Sequence, residues 1–115
     1  MLEIEFEDNP EKDVAVLRPK GDIDAYSVAE FRQSLHEHTS RKRLVVDLSQ
    51  VMFMDSAGLG ALIGSVRRIR EHDGSVTLCS SRQPIIRLLH TTGFNRIVPV
   101  RDNLEDAIAA LDENQ

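Results

Sequence analysis

The sequence predicts a single α/β domain over residues 1–115, in which an N-terminal hairpin joins a mixed central sheet with about four helices. The length of 115 residues is that of one compact domain. Two strand-like segments come first, and after them segments with strand and helix periodicity alternate to the end of the chain. These observations give the predicted order ββαβαβαβα.

The first two elements are predicted to be strands. Residues 2–7 alternate apolar side chains with glutamates, which is typical of a strand with one buried face. Asp8-Asn9-Pro10 marks a turn, and residues 14–20 form a second strand, antiparallel to the first. Because Pro19 lacks a backbone N–H, we expect this strand to end at a sheet edge and to close at Gly21.

The central elements are a helix, a buried strand and a longer helix. Ser27 and Glu30 have the spacing of a capping box, which predicts a helix over about 27–38. Residues 44–48 are almost continuously apolar, as in a strand that is covered on both faces. A helix over about 56–72 is predicted to end at Asp73-Gly74.

The last third of the chain continues the alternation. Residues 76–79 predict a short strand, followed by a helix with Pro84 in its first turn and Gly93 at its end. Another short strand is predicted over 97–100. Residues 102–105 then begin a last helix with a capping pattern.

Composition and charge limit the possible functions. The chain is 41% hydrophobic and carries a net charge of −5, of which the whole excess lies in residues 102–115. The rest of the chain is therefore neutral and has no large basic face, which argues against a nucleic-acid partner. No apolar run is long enough to span a bilayer, and the N-terminus lacks the pattern of a signal peptide. We therefore expect a cytoplasmic protein with no direct membrane contact.

The segment 51–64, VMFMDSAGLGALIG, is unusual because it places glycines inside a predicted helix. Each glycine costs about 1 kcal/mol relative to alanine, so something should require them. At helical spacing, large apolar residues form one stripe, and a stripe of small residues lies opposite: Ala57, Gly60, Ala61 and Gly64. This small-residue stripe fits either close approach of a partner or packing against a neighbouring helix of the same domain.

Ser56 stands where this helix begins, and its hydroxyl has two interpretations. As an N-cap it would accept a hydrogen bond from a free helix amide. As a phosphorylation site it would place a phosphate at the positive end of the helix, beside Asp55 and next to the small-residue stripe. A partner docked on that stripe would then meet a bulky dianion.

Catalytic motifs fit poorly, so we expect no enzyme activity, no metal site and no cofactor. Residues 54–58, MDSAG, lack the first glycine of the G-x-S-x-G hydrolase elbow. The glycines of 58–64 are spaced GxGxxxG, which differs from the dinucleotide-binding pattern. His36 and His38 are two residues apart and point in different directions on a helix. The single cysteine, Cys79, is expected to be a small buried group.

Several segments together resemble the bacterial anti-sigma factor antagonists, which consist of a single STAS domain. Residues 21–25, GDIDA, resemble the family segment G-[DE]-[IL]-D, and residues 44–60 resemble its central strand and phosphoacceptor segment. Thr92-Gly93-Phe94 resembles the T-G-[LF] that closes the third helix. The resemblance covers nearly the whole chain, and the D-S-x-G-L match is its most specific part.

The resemblance implies a regulatory cycle. The unphosphorylated antagonist would bind an anti-sigma factor that is also a serine kinase, and the sigma factor would be released for transcription. Phosphorylation of Ser56 would dissociate the complex, and a PP2C-type phosphatase would reverse the modification. The expected contacts with the partner are Asp24, Asp55, Ser56, Ala57, Gly58, Gly60, Ala61 and Gly64.

One departure and one alternative remain. Many family members have Ser or Thr where this chain has Ala57, which leaves Ser56 as the only hydroxyl of the motif. STAS domains also serve as partner subunits of ABC-type lipid-transport complexes, and some of these carry D-S-A-G-L. Such a subunit would use the same helix face as a constant docking site, with no phosphorylation cycle.

Overall fold

A computed structural model describes residues 2–113 as one sheet with helices on both faces. The elements, in chain order, are β1 Glu3–Asn9, β2 Val14–Ile23, α1 Val28–Glu37, β3 Arg43–Asp47, β4 Gln50–Met54, α2 Ser56–Glu71, β5 Ser75–Cys79, α3 Gln83–Thr91, a 3₁₀ turn Phe94–Arg96, β6 Val100–Arg101 and α4 Leu104–Ala110. The α/β class and the four helices confirm the predicted class. The predicted order is wrong at one point, because it omits β4.

The sheet is mixed, as predicted. Its hydrogen-bonded order is β1-β2-β3-β5-β6, and β4 pairs with β2 beyond the end of β3. The hairpin pair β1/β2 is antiparallel, and the other pairs are parallel. Parallel pairing brings the carboxyl ends of β2 and β4 to the same edge of the sheet, and this edge carries the candidate site.

Strand β2 is longer and more central than predicted. It runs past Gly21 to Ile23, with β1 along one side and first β3, then β4, along the other. Pro19 therefore does not lie at a sheet edge. It falls between Ala15–Leu17, which pair with β3, and Lys20, which begins the pairing with β4. The N–H that proline lacks is thus missing where β2 changes partners.

Strand β4 was not predicted because a bulge breaks the alternation of its buried and exposed residues. Gly21 pairs with Val51 but Asp22 pairs with Phe53, so Met52 is the extra residue. A regular strand would place Val51 and Met54 on opposite faces, yet both are buried here. The bulge also turns Met52 and Phe53 outward.

The predicted strand over 97–100 is wrong in its bounds. Gly93 adopts a φ of 76°, a left-handed conformation that suits glycine, and the chain turns there after α3. The following 3₁₀ turn brings Phe94 into the core, where it is 1% exposed. The strand begins only after this turn, so β6 is two residues long.

Two apolar layers hold the fold together. The larger core lies between the sheet and α1, α2 and α3, and the smaller lies between the sheet and α4. Alternate residues of β2 and β3 serve the two layers, so β3 is covered on both faces as predicted. None of the helices within residues 2–113 is long and apolar enough to cross a membrane.

Candidate functional site

The candidate site lies where β2 and β4 end side by side. The backbone N–H of Asp55 donates to the carbonyl of Ile23 at 3.2 Å, which joins the two strand ends. Asp24 follows β2 and Ser56 follows β4, so residues 32 positions apart in the chain leave the same edge of the sheet. The structure thus brings together the two segments that the sequence singled out, 21–25 and 51–64.

Asp55, and not Ser56, is the N-cap of α2. Its Oδ1 accepts hydrogen bonds from the backbone N–H groups of Ala57 at 2.9 Å and Gly58 at 3.4 Å. Ser56 is the first helical residue and is exposed. Its hydroxyl makes no hydrogen bond within the described part of the chain. The N-cap interpretation of Ser56 is therefore wrong.

Asp24 and Ser27 order the turn that leads into α1. Asp24 Oδ1 accepts from the backbone N–H groups of Tyr26 at 2.9 Å and Ser27 at 3.1 Å. Ser27 Oγ donates to the carbonyl of Asp22 at 2.8 Å and accepts from the backbone N–H of Asp24 at 3.0 Å. The predicted capping box with Glu30 is absent, because the Ser27 side chain bonds back to the turn instead of to α1.

Part of the small-residue stripe of α2 is open to a partner, and part of it packs within the domain. Gly60 and Gly64 are exposed, and a Cβ added to either would meet no heavy atom within 4 Å. Ala61 is 3% exposed and belongs to the domain's own core, while Ala57 is half-buried. Ser56, Gly60 and Gly64 follow one another at four-residue spacing, and we call them the bare face of α2.

Gly58 has a different role from the other two helix glycines. It is buried, and an added Cβ would lie 2.6 Å from Met54 Cγ and 2.9 Å from Ile23 Cγ2. No real Cβ approaches so closely, so glycine is required for α2 to begin against the strand ends. The expectation that Gly58 contacts a partner is therefore replaced by a packing role.

A groove continues the bare face toward the C-terminal end of α2. It has a volume of about 90 Å³, and its lining comes from α1 and α2: Arg32, Gly60, Ala61, Gly64, Ser65 and Arg68. Arg32 and Arg68 are exposed, and Arg68 Nη1 lies 2.6 Å from His36 Nδ1. The bare face thus has an acidic end at Asp55 and a basic end at the two arginines.

Three exposed apolar side chains flank the site and were missed by sequence reasoning. Tyr26 is 97% exposed, Met52 56% and Phe53 51%. Tyr26 belongs to the turn after β2, and the other two belong to the bulged strand β4. The sequence signal for Met52 and Phe53 was the uninterrupted apolar run 51–54. A strand with one buried face needs an apolar side chain only at every second position.

A partly buried ionic cluster joins β2, β3 and β5 of the sheet. Arg18 Nε donates to Asp47 Oδ2 at 2.9 Å, and Cys79 Sγ donates to Asp47 Oδ1 at 3.3 Å. Burial opposes ionisation of Asp47, but hydrogen bonds from Arg18, Ser49 and Cys79 outweigh it and lower the pKa of this carboxyl. Burial, followed by the Asp47 charge, raises the pKa of the Cys79 thiol far above its ordinary value.

The four histidines lie on or directly after the helices α1, α2 and α3. His36, His72 and His90 are exposed, while His38 is half-buried and stacks on Phe6 with 3.8 Å between ring centroids. Over residues 2–113, no group of three or more His, Cys, Asp or Glu side chains is placed to hold a metal ion. The arrangement around Ser56 offers an open helix surface, an exposed hydroxyl and a neighbouring carboxylate, that of Asp55.

Sequence comparison with known proteins identifies the family that the motifs of this chain resemble. The family model of the STAS domain matches residues 4–107. The anti-sigma F factor antagonist of Paenibacillus polymyxa is 31% identical over 114 residues, which are 96% of this chain and 96% of that protein.

Solved structures of other proteins have the same fold as this chain. The crystal structure of an anti-sigma factor antagonist from Mycobacterium paratuberculosis has a TM-score of 0.88 at 25% identity, covering 98% of this chain and 96% of that one. The Bacillus cell fate determinant SpoIIAA in its phosphorylated form has a TM-score of 0.69 at 19% identity, with 95% and 99% covered, which shows the same fold. The family match extends over most of the chain, and the chain belongs to the STAS domain family.

Proposed function

We propose that this protein is an anti-sigma factor antagonist that works as a phosphorylation-gated binding module in the cytoplasm. The observation that carries the proposal is the state of Ser56. Its hydroxyl is exposed and free of hydrogen bonds within residues 2–113, and it stands at the head of the bare face of α2. The similarity to named antagonists supports the choice of an anti-sigma factor as the partner.

In the unphosphorylated state, the partner docks on the bare face of α2 and on the turn at Asp24. Gly60 and Gly64 let a partner backbone approach the helix closely, because no side chain stands in its way. Tyr26, Met52 and Phe53 supply apolar area beside this contact, which is typical of the centre of a protein interface. The anti-sigma factor bound in this way cannot hold its sigma factor.

The partner is also proposed to be the kinase that ends the interaction. Ser56 Oγ attacks the γ-phosphorus of an ATP bound to the partner, and the bond from that phosphorus to the β,γ-bridging oxygen breaks. The hydroxyl proton passes to a base of the kinase, and ADP leaves. The antagonist itself contributes the nucleophile and its position, so it is a substrate and not an enzyme.

The phosphate acts through local charge. It adds about −1.5 to −2 charges at Ser56. The cap carboxylate of Asp55 already accepts from the amides of Ala57 and Gly58, so these helix donors are not available to the phosphate. The new dianion therefore stands beside an existing carboxylate at the docking edge, where it repels and blocks the partner. A PP2C-type phosphatase restores the surface by hydrolysing the phosphoserine.

Mass spectrometry tests the modification. The chain is incubated with ATP and its cognate anti-sigma factor, and the phosphopeptide that contains Ser56 is sought. We expect one phosphate per wild-type molecule and none on Ser56→Ala. Modification of another residue, or no modification by the cognate anti-sigma factor, would overturn the phosphorylation cycle and favour the constant docking role of a transporter subunit.

Binding measurements test the gate. Calorimetric titration with the anti-sigma factor should show that Ser56→Ala binds about as tightly as wild type, while Ser56→Asp binds at least tenfold more weakly. Ser40→Asp is the matched control, since it introduces the same charge at an exposed residue of the α1–β3 loop. Equal affinity of Ser56→Asp and Ser40→Asp would refute the gate.

A further inference from the structure

The groove between α1 and α2 differs in chemistry from the serine end of the docking surface. Its floor includes Ala61 and Ser65, which are buried, and its rim carries Arg32 from α1 and Arg68 from α2. We call it the α1–α2 groove. Arg68 is 12 residues after Ser56 on the same helix, which corresponds to about 18 Å. The groove therefore lies outside the reach of the phosphorylation chemistry.

The two rim arginines have no acidic partner in the fold. Both side chains are exposed, and neither forms an ion pair within residues 2–113. Arg68 Nη1 lies 2.6 Å from His36 Nδ1. Because a guanidinium has only donors, His36 accepts this hydrogen bond as a neutral imidazole. The bond holds the Arg68 side chain at the rim and leaves its positive charge unneutralised.

The charges along the docking surface are arranged as a dipole. Asp24 and Asp55 stand at the Ser56 end, whereas Arg32 and Arg68 stand at the groove end. The rim is thus positive in a chain whose net charge is −5. Interfaces pair patches of opposite charge, so a partner complementary to this surface carries acidic groups opposite the groove.

The size of the α1–α2 groove limits what can enter it. Its volume is about 90 Å³, whereas small-molecule sites have about 300–1,000 Å³, so it has room for a side chain and not for a cofactor. The described lining residues include one hydroxyl, Ser65 Oγ, which donates to the carbonyl of Ala61 at 3.0 Å. The floor therefore needs no polar ligand. The guanidinium groups at the rim offer planar donors that match a carboxylate.

We propose that the anti-sigma factor inserts a glutamate or aspartate side chain into the α1–α2 groove, where its carboxylate pairs with Arg32 and Arg68. The inference rests on the proposed function, because it concerns the same partner. The pairing anchors the partner about 18 Å from Ser56 and sets the register in which the kinase meets the hydroxyl. Arg32 and Arg68 are thus positioning residues and take no part in phosphoryl transfer.

Charge reversal tests the anchor. Arg32→Glu and Arg68→Glu should each bind the cognate anti-sigma factor at least tenfold more weakly than wild type, measured by calorimetric titration in 100 mM NaCl. The difference should shrink in 500 mM NaCl, because salt screens exposed charges. Arg67→Glu is the matched control, since it makes the same change at an exposed arginine of α2 that does not line the groove. It should bind within threefold of wild type.

Phosphorylation kinetics separate an anchor from a general loss of structure. Arg68→Glu should raise the KM for phosphorylation of Ser56 about tenfold and change kcat less than twofold, because the groove is remote from the reacting atoms. Arg68→Lys keeps the charge without the planar fork and should lose less affinity than Arg68→Glu. A fall in kcat with unchanged KM would overturn the anchor.

A compensating change identifies the carboxylate of the partner. Each exposed acidic residue of the anti-sigma factor is replaced with lysine, and one such variant should bind Arg68→Glu more tightly than it binds wild type. The anchor is overturned if no variant does so, or if Arg67→Glu loses as much affinity as Arg68→Glu. The gated function still stands in that case if Ser56→Asp releases the partner, whereas absence of binding by wild type would overturn both.

Discussion

Replacing Gly60 with alanine should stabilise the protein and impair its function. Gly60 lies in the interior of α2 and is exposed, and an added Cβ meets no heavy atom within 4 Å. Nothing in the fold requires glycine there, while glycine costs a helix about 1 kcal/mol relative to alanine. We therefore expect Gly60→Ala to raise the free energy of unfolding by about 1 kcal/mol.

The size of this effect is within reach of simple measurements. For a chain of 115 residues, 1 kcal/mol corresponds to a rise in Tm of about 4 °C. Urea denaturation followed by circular dichroism gives the free energy of unfolding directly. Gly64→Ala should behave in the same way, since its position is equally open.

Gly58→Ala is the matched control within the same helix. Its Cβ would lie 2.6 Å from Met54 Cγ, so this change should destabilise the domain by about 1–3 kcal/mol. The sign of the stability change thus separates a glycine kept for packing from one kept for another reason.

Binding completes the test of Gly60. A methyl group on the bare face should hold a partner backbone away, and we expect the affinity of Gly60→Ala for the anti-sigma factor to fall at least tenfold. A stabilised Gly60→Ala that binds with wild-type affinity would refute the assignment of the bare face as the docking surface. A destabilised Gly60→Ala would refute our account of the helix itself.

Three further predictions concern single residues. Asp55→Ala removes the α2 cap and should cost about 1 kcal/mol in urea denaturation, while Asp55→Ser should recover most of it; equal stability would contradict the assigned cap. The pKa of Asp47 is lowered in the folded protein, so the ionised carboxylate stabilises the fold at neutral pH. This stabilisation is lost as the pH falls through the native pKa of Asp47. Arg18→Gln should lower the free energy of unfolding by about 3 kcal/mol at pH 7, and this free energy should then fall less as the pH is lowered. An unchanged dependence of stability on pH would argue against the Arg18–Asp47 pair. Cys79 should not react with a thiol reagent in the native protein, because its thiol is buried and its pKa is raised; rapid labelling without unfolding would contradict this.

Much of the candidate site was accessible from sequence because it depends on local chemistry. The glycines of 58–64 stand out in a predicted helix because each lowers helix stability relative to alanine, so some contact should require them. Ser56 stands out because it begins that helix beside Asp55. The positions of Asp24 and Ser56 in two separate motifs were also visible, although their proximity was not, because it depends on the pairing of β2 with β4.

Two assignments near the site failed because they depended on side-chain direction. Ser56 and Asp55 are both good capping residues, and only the backbone geometry shows that Asp55 Oδ1 reaches the amides. The same holds for Ser27, which had two possible sets of partners and bonds to the turn. The exposed side chains Met52 and Phe53 were missed because the apolar run 51–54 does not show where the bulge falls that turns two of its side chains outward.

The sequence by itself determined the class of fold, the helix with the unusual glycines and the serine at its start. Periodicity and composition carry this information, because burial patterns are local properties of a helix or strand. Tertiary structure alone decided which helix glycine is structural and which is open, because that depends on neighbours distant in sequence. Gly58 lies against Ile23 from another strand, whereas Gly60 and Gly64 meet only solvent.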